Sequence, residues 1–401
     1  MNSFDGELNR RLSALREQNL FRELRRVDSA QGPRIEIGGK KFLNFSSNDY
    51  LGLANHPALK EAAIHAVEKF GAGSGASRLV CGSLAPFHGL EESLAAFKKT
   101  EAALAFSTGY AAAIGTITAL AGKDDIVVLD KLVHASVVDA AKLSGAKLRI
   151  FDHNDLDDLE DKLKWAGKFS KAEGGRRKAE ILVVTESIFS MDGDAAPLRE
   201  MVGLKNKYGA WLMVDEAHAT GIIGGNGRGL ADELGVSGEI EIQMGTLGKA
   251  LGASGGYICG SRALVDFLVN HARSFIFSTA PAPAAAAAAT AGIKLVQSKE
   301  GELKRKELFA RIVELNSKLK TQNSKLQSAI IPLILGDESQ ALAAAAKLRG
   351  QGIFVPAIRY PTVARGAARL RITLTAAHSG ADVEQLDAAL KNLGLGRETL
   401  D

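Results

Sequence analysis

The chain has 401 residues, 46% of them hydrophobic, with 50 Lys plus Arg against 46 Asp plus Glu. That apolar content excludes a disordered chain, and the length favours more than one domain. A net charge of +4 without any Lys/Arg block points to no nucleic-acid partner, and two cysteines, Cys81 and Cys259, cannot build a disulfide framework or a multi-cysteine metal site.

The spacing of Leu8, Leu12, Leu15 and Leu20 predicts a charged helix in the first 35 residues, closed by a turn at Gln31-Gly32-Pro33. RIEIGGKKFLNF alternates around Gly38-Gly39 as a hairpin does. Helices are expected from Pro57 to about Phe70 and from Ala85 to Lys98, with Gly71, Gly73, Gly75 and Gly82 between them. From 102 to 270, apolar strands alternate with helices: ALAF, DIVVLD, KLRIF, EILVVTE, WLMVDE, IEIQMGT and GGYICG. Near-continuous apolar strands of this kind predict a buried, mainly parallel sheet in an α/β fold. The polar stretch 168–180 reads as a surface loop.

After Pro281-Ala282-Pro283 the pattern becomes α+β: a long alanine-rich helix, a charged helix over about 301–325, the strands AIIPLILG, FVPAIRY and RLRITL, and two more helices. The stretch Ala282–Val296 carries Pro283 and Lys294 and is too short to span a bilayer. The opening MNSFDGELNRRL has no apolar signal core. A cytoplasmic location without a membrane partner is expected. Three segments follow: 1–45 as a helix and hairpin, 46–283 as the large domain, and 284–396 as a small α+β domain.

In an open parallel sheet, ligands bind beyond the carboxyl ends of the strands. Four such ends carry unusual residues: His134, Ser187 to Asp194, Asp215 to His218, and Thr246 to Lys249. Most lysines are solvated, but Lys249, flanked by small residues in GTLGKALG, could be desolvated into a usable amine nucleophile. Asp215 could pair with a buried cation, or simply cap a turn. The letters DEAH also occur in helicases, yet no phosphate loop lies upstream. Gly109 and Tyr110 open a helix whose N–H groups could hold a phosphate. Arg371, inside an apolar strand, needs a partner, which could belong to the protein or to a substrate.

A lysine, a strand-end aspartate, a stacking histidine and a phosphate-holding helix start are the parts that pyridoxal 5'-phosphate requires. The strings NFSSNDYLGL, GAGSGASR, STGYAAA, DKLVHAS, TESIFSMDGD, WLMVDEAHATG, GTLGKALG, FIFST and AIRYPTVARGAARLRITLTAAH resemble the α-oxoamine synthases over about residues 20–395. The resemblance implies a fold-type I pyridoxal-phosphate-dependent transferase with a mainly parallel seven-stranded sheet. It also implies condensation of an amino acid with an acyl thioester. The start of the chain, NFSSNDYLGL and the late AIRYPTV string are closest to the branch joining L-alanine to a pimeloyl thioester, as pimeloyl-CoA or pimeloyl-acyl carrier protein. The competing reading is a sister enzyme using glycine and acetyl-CoA, or a longer acyl chain.

Carried over by position, the resemblance makes Lys249 the imine-forming lysine and base, and Asp215 the partner of the pyridine nitrogen. His218 becomes the contact to the ring's 3-oxygen, and His134 the residue stacked on the ring. Gly109 and Tyr110 hold the phosphate, with Ser190 and Thr246 as further cofactor contacts. Ser278 and Thr279 reach the phosphate from a second subunit, implying a homodimer. Asn48 and Arg371 take the amino-acid carboxylate, Thr362 contacts substrate, and Ser77 leaves room for a methyl group. Arg22 is the candidate for the acyl substrate, with Arg25 and Arg26 close by. Ala364, Ala367 and Tyr360 depart from the family's common proline, threonine and proline.

Overall fold

The computed structural model describes residues 3–169, 179–319 and 328–395. The 168–180 loop reading and the end of the helix expected over 301–325 fall largely outside them. Among the described residues the strands are β1 Arg34–Ile37, β2 Lys40–Asn44, β3 Ala102–Phe106, β4 Ile126–Asp130, β5 Lys147–Phe151, β6 Ile181–Glu186, β7 Trp211–Asp215, β8 Ile242–Thr246, β9 Gly256–Gly260, β10 Ile330–Gly336, β11 Ile353–Phe354, β12 Ala357–Ile358 and β13 Ala368–Thr373.

The larger compact unit comprises Leu51–Ser190 and Asp194–Arg305. Its seven-stranded sheet has the order β3-β9-β8-β7-β6-β4-β5. The strands β5, β4, β6, β7 and β8 pair in parallel, while β9 runs antiparallel to both β8 and β3. The central strands are buried along their whole length, which is why IVVLD and ILVVTE read as unbroken apolar runs. At the sheet edge, β5 leaves Lys147 and Ile150 exposed. Val127, Leu129, Val184, Met213 and Ile258 pack with Ala112, Ala113 and Ile117 of the helix Gly109–Leu120 in one apolar core. Because β4, β6, β7 and β8 run the same way, their carboxyl ends share one edge of the sheet.

The smaller unit comprises Met1–Tyr50, Met191–Gly193 and Lys306–Asp401. It holds two three-stranded sheets, β1-β2-β11 and β10-β13-β12. Here the chain departs from the expected segments. The N-terminal helix and hairpin group with the C-terminal residues because β2 pairs with β11. The alanine-rich helix Pro283–Gln297 stays with the large sheet, so the division falls after Arg305 rather than near 283. The run FVPAIRY is also not one strand. Pro356 lacks a backbone N–H, and on either side of it β11 joins β2 while β12 joins β13. No described helix is long and apolar enough to cross a membrane.

Candidate active site

In the larger unit, the helix Gly109–Leu120 starts under a Thr108 cap, whose side chain accepts the Ala111 N–H at 2.9 Å. The remaining first-turn N–H groups carry the positive end of the helix dipole. The helix start lies tightly on the sheet: a Cβ added to Gly256 of β9 would sit 2.5 Å from the Gly109 nitrogen. Tyr110 is half exposed and donates its hydroxyl to Asp139 at 2.6 Å, which pushes the phenol above its usual range.

His134 caps the next helix, Ala135–Ser144, accepting the Ser136 N–H on Nδ1 at 3.2 Å. The Ser136 hydroxyl lies 2.8 Å from the same nitrogen. Burial pulls the imidazole below its ordinary value and Lys249 pulls the same way, against the opposing pull of Asp215 and Asp139.

Asp215 ends β7 and is 6% exposed. Its Oδ1 accepts the Ala217 N–H at 2.9 Å. Burial raises its carboxyl, and Lys249, the Ala217 N–H and His134 counter that by favouring the anion. The turns after β7 and β8 bring His218 Nε2 within 2.6 Å of Lys249 Nζ. The turn that holds His218 passes close to the lysine's neighbour: Gly221, at φ +89°, leaves no room for a Cβ, which would lie 2.6 Å from Ala250 Cβ. Thr246 donates to the Gly255 carbonyl at 3.0 Å and accepts the Gly248 N–H at 3.2 Å, so it shapes the turn that carries Lys249.

Three polar groups, two of them buried and one half-buried, escaped sequence reasoning. Glu216, next to Asp215, is fully buried against Lys98, which also donates to the Arg228 carbonyl. Glu216 accepts the Ala231 N–H at 3.0 Å as well. This buried pair anchors the chain just after β7. Glu186, at the end of β6, stands in register with Asp215 and accepts the Ser190 N–H at 3.1 Å. His153 bridges Asp130 at 3.0 Å and Asp194 at 2.7 Å. Burial lowers the His153 imidazole, but the two carboxylates outweigh it and lift it to about 10. The charged His153 thus pins Asp194, whose carbonyl accepts the Phe189 N–H in the segment bearing Ser190. The partners of Glu216 and His153 lie far away in sequence, 118 residues in the case of Lys98 and Glu216.

Ser77 and Thr279 form an isolated antiparallel bridge, extended by the Ala280 N–H donating to Ala76 at 2.9 Å. Thr279 is exposed and Ser278 half-buried. Among the described residues no hydrogen bond links either of them to Lys249, His218 or Asp215.

In the smaller unit, Arg371 of β13 is 4% exposed. Both its terminal nitrogens donate to Asn48 Oδ1 at 3.1 Å, and Nη1 also donates to Thr373 Oγ1 at 3.0 Å. The partner of this strand arginine thus includes neutral oxygens of the protein itself. Arg22 donates to the Tyr360 carbonyl at 3.1 Å, and Arg359 reaches back to the carbonyls of Asn19 and Phe21. Thr362 lies exposed two residues beyond Tyr360. Arg26 pairs with Asp28, while burial depresses the guanidinium groups of Arg349 and Arg359, helped by Arg25 at the first and by Arg22 and Arg25 at the second.

Known proteins resemble the chain over nearly its whole length. The aminotransferase class I and II family matches residues 40–390. An 8-amino-7-oxononanoate synthase of Anaeromyxobacter sp. (strain Fw109-5) is 51% identical over 96% of this chain and 95% of its own. Another, from Geotalea daltonii, is 48% identical over 96% of each chain. The solved structure of serine palmitoyltransferase from S. paucimobilis, with bound PLP and myriocin, superposes with a TM-score of 0.88 at 31% identity, covering 98% of both chains. The seven-stranded, mainly parallel sheet is thus that of fold-type I pyridoxal-phosphate enzymes. The chain belongs to the class I and II aminotransferase family, alongside its 8-amino-7-oxononanoate synthases, and is an acyltransferase of the pyridoxal-phosphate-dependent type.

Proposed function

We propose that the protein condenses L-alanine with a pimeloyl thioester, carried on CoA or acyl carrier protein, in biotin biosynthesis. Carbon dioxide and the free thiol carrier are released with 8-amino-7-oxononanoate. The observation that carries this reading is the meeting of Lys249, His218, Asp215 and His134 at the carboxyl ends of adjacent parallel strands.

These residues suit pyridoxal 5'-phosphate. A buried strand-end carboxylate facing a lysine, a lysine within reach of an imidazole, a histidine beside both and a helix start pressed on a glycine strand make a donor set for a phosphorylated, cationic heterocycle. When bound, the cofactor supplies an electron sink for carbanion chemistry. Lys249 would hold it covalently and move the proton at the α-carbon of the amino acid. Asp215 would keep a cation at the ring nitrogen, His134 would lie on the ring face, and His218 would meet the ring's 3-oxygen. Gly109, Tyr110, Ser190 and Thr246 would complete the cofactor contacts. Arg371 and Asn48 would orient the substrate carboxylate, with Ser77 leaving space for alanine's methyl group. Arg22 and Thr362 would contact the acyl substrate. Ser278 and Thr279 would serve a second subunit's phosphate in a cytoplasmic homodimer, which the exposure of Thr279 permits.

A thiol-release assay tests the reading. L-alanine and glycine are paired with pimeloyl, acetyl and long-chain thioesters. Alanine with pimeloyl thioester is expected to be preferred by at least about tenfold, the scale on which one methyl-sized difference discriminates. Preference for glycine with acetyl-CoA would assign the sister activity instead.

A further inference from the structure

We propose that Glu186 is a positioning residue of the cofactor pocket, an uncharged carboxylic acid that holds the main chain at Ser190 beside the start of the His134 helix and the end of the Asp215 strand. The identity of the bound group rests on the pyridoxal-phosphate reading; the charge state of Glu186 does not.

Glu186 and Asp215 end neighbouring parallel strands in register, and both are buried, at 2% and 6% exposure. Two carboxylates so placed repel each other and are both desolvated, so one of them retains a proton. At Asp215 burial raises the carboxyl, against the pull of Lys249 from the turn after β8, the Ala217 N–H and His134. Glu186 faces the same Lys249 and the peptide N–H groups of His134 and Ser190, but burial and Asp215 prevail and push it up to about 8. Its geometry agrees. Oε2 accepts the Ser190 N–H, while the buried Oε1 has no hydrogen-bond partner. A buried oxygen left bare is far less costly on a neutral acid than on a carboxylate.

The position of this acid gives it its task. His134 begins one helix and Ser190 lies in the loop after β6, so no regular secondary structure holds them to each other. One carboxyl group accepts the Ser190 N–H at 3.1 Å and faces the main-chain N–H of His134. A residue expected to touch the cofactor, Ser190, is therefore set by another that need not touch it.

Two measurements on the cofactor-loaded protein test this. The dissociation constant for pyridoxal phosphate is determined for wild type, Glu186→Gln and Glu186→Ala. Glutamine is neutral and keeps an acceptor oxygen, so its constant should stay within about threefold of wild type; alanine should weaken binding about tenfold or more. Infrared difference spectra between wild type and Glu186→Gln at pH 7 should show the carbonyl stretch of a protonated carboxylic acid in wild type alone. Loss in Glu186→Gln as large as in Glu186→Ala, wild-type binding in Glu186→Ala, or absence of the acid band would each overturn it. The infrared comparison decides the charge state even if Glu186→Ala does not fold. Failure of wild type itself to take up pyridoxal phosphate would instead overturn the reading of the pocket.

Discussion

Lys249 Nζ lies 2.6 Å from His218 Nε2, close enough for one proton to be shared between an amine and an imidazole. The lysine thus has, within its own protein, a group that can take the proton it must shed before acting as a nucleophile. Lys249→Ala should remove the yellow, borohydride-sensitive absorbance expected of protein loaded with pyridoxal phosphate. Turnover should fall by at least about a thousandfold, the scale seen when a nucleophile that acts in a unit is deleted. Absorbance spectra before and after borohydride check this; a reducible band surviving in the variant would place the covalent attachment elsewhere.

Asp215→Asn preserves shape but removes the charge at the end of β7. Cofactor should still bind, since the helix start at Gly109 and His134 are untouched. Thiol release should fall at least about a hundredfold, as expected for loss of a buried, preorganised charge. Comparing cofactor stoichiometry with turnover separates the two effects, and unchanged turnover would refute the electrostatic role of Asp215.

The charged His153 should stabilise the fold in a pH-dependent way. Its imidazole is lifted from 6.5 to about 10 in the folded protein. A folded pKa above the unfolded one means that the folded state binds the proton more tightly. The contribution is fully present below about pH 6.5 and is lost as pH rises through about 10. His153→Gln should therefore lower the melting temperature most at pH 6, by an amount corresponding to roughly 2–3 kcal/mol, a charged hydrogen bond's usual worth. The gap from wild type should close at pH 10.5. Thermal melts across that range check the sign, and a gap that widens with pH would contradict it.

Lys98→Met should leave Glu216 buried without its cation. A loss of about 3–5 kcal/mol is expected, the usual cost of stranding one member of a buried pair. The double change Lys98→Met with Glu216→Leu should recover part of it. Denaturant midpoints of the two variants check the ordering.

Much of this architecture was readable because its signals are local. IVVLD and ILVVTE are buried on both faces, so burial left an unbroken apolar run in each. Strand ends with polar residues then marked His134, Asp215 and Lys249. The rest depended on distant pairings. Nothing near Lys98 announces Glu216, and His153 has no neighbouring carboxylate that singles out Asp130 or Asp194. FVPAIRY looked like a strand because its apolar and β-branched residues are those of a strand; only the pairing partners show that the chain changes sheets at Pro356. The placement of β1 and β2 with the C-terminal residues was hidden for the same reason.

That placement has a practical consequence for dissecting the enzyme. The smaller unit is assembled from three separate stretches of chain, residues 1–50, 191–193 and 306–401. Within it, Arg369 of β13 pairs with Asp192 at 2.5 Å, and β11 finds its strand partner in β2. A fragment expressed from residue 306 onward would lack both. It would present an unpaired strand edge and an arginine without its carboxylate, the features that drive chains to aggregate. No single cut yields this unit. A separable version would need a redesigned chain order, with the first fifty residues fused behind the last.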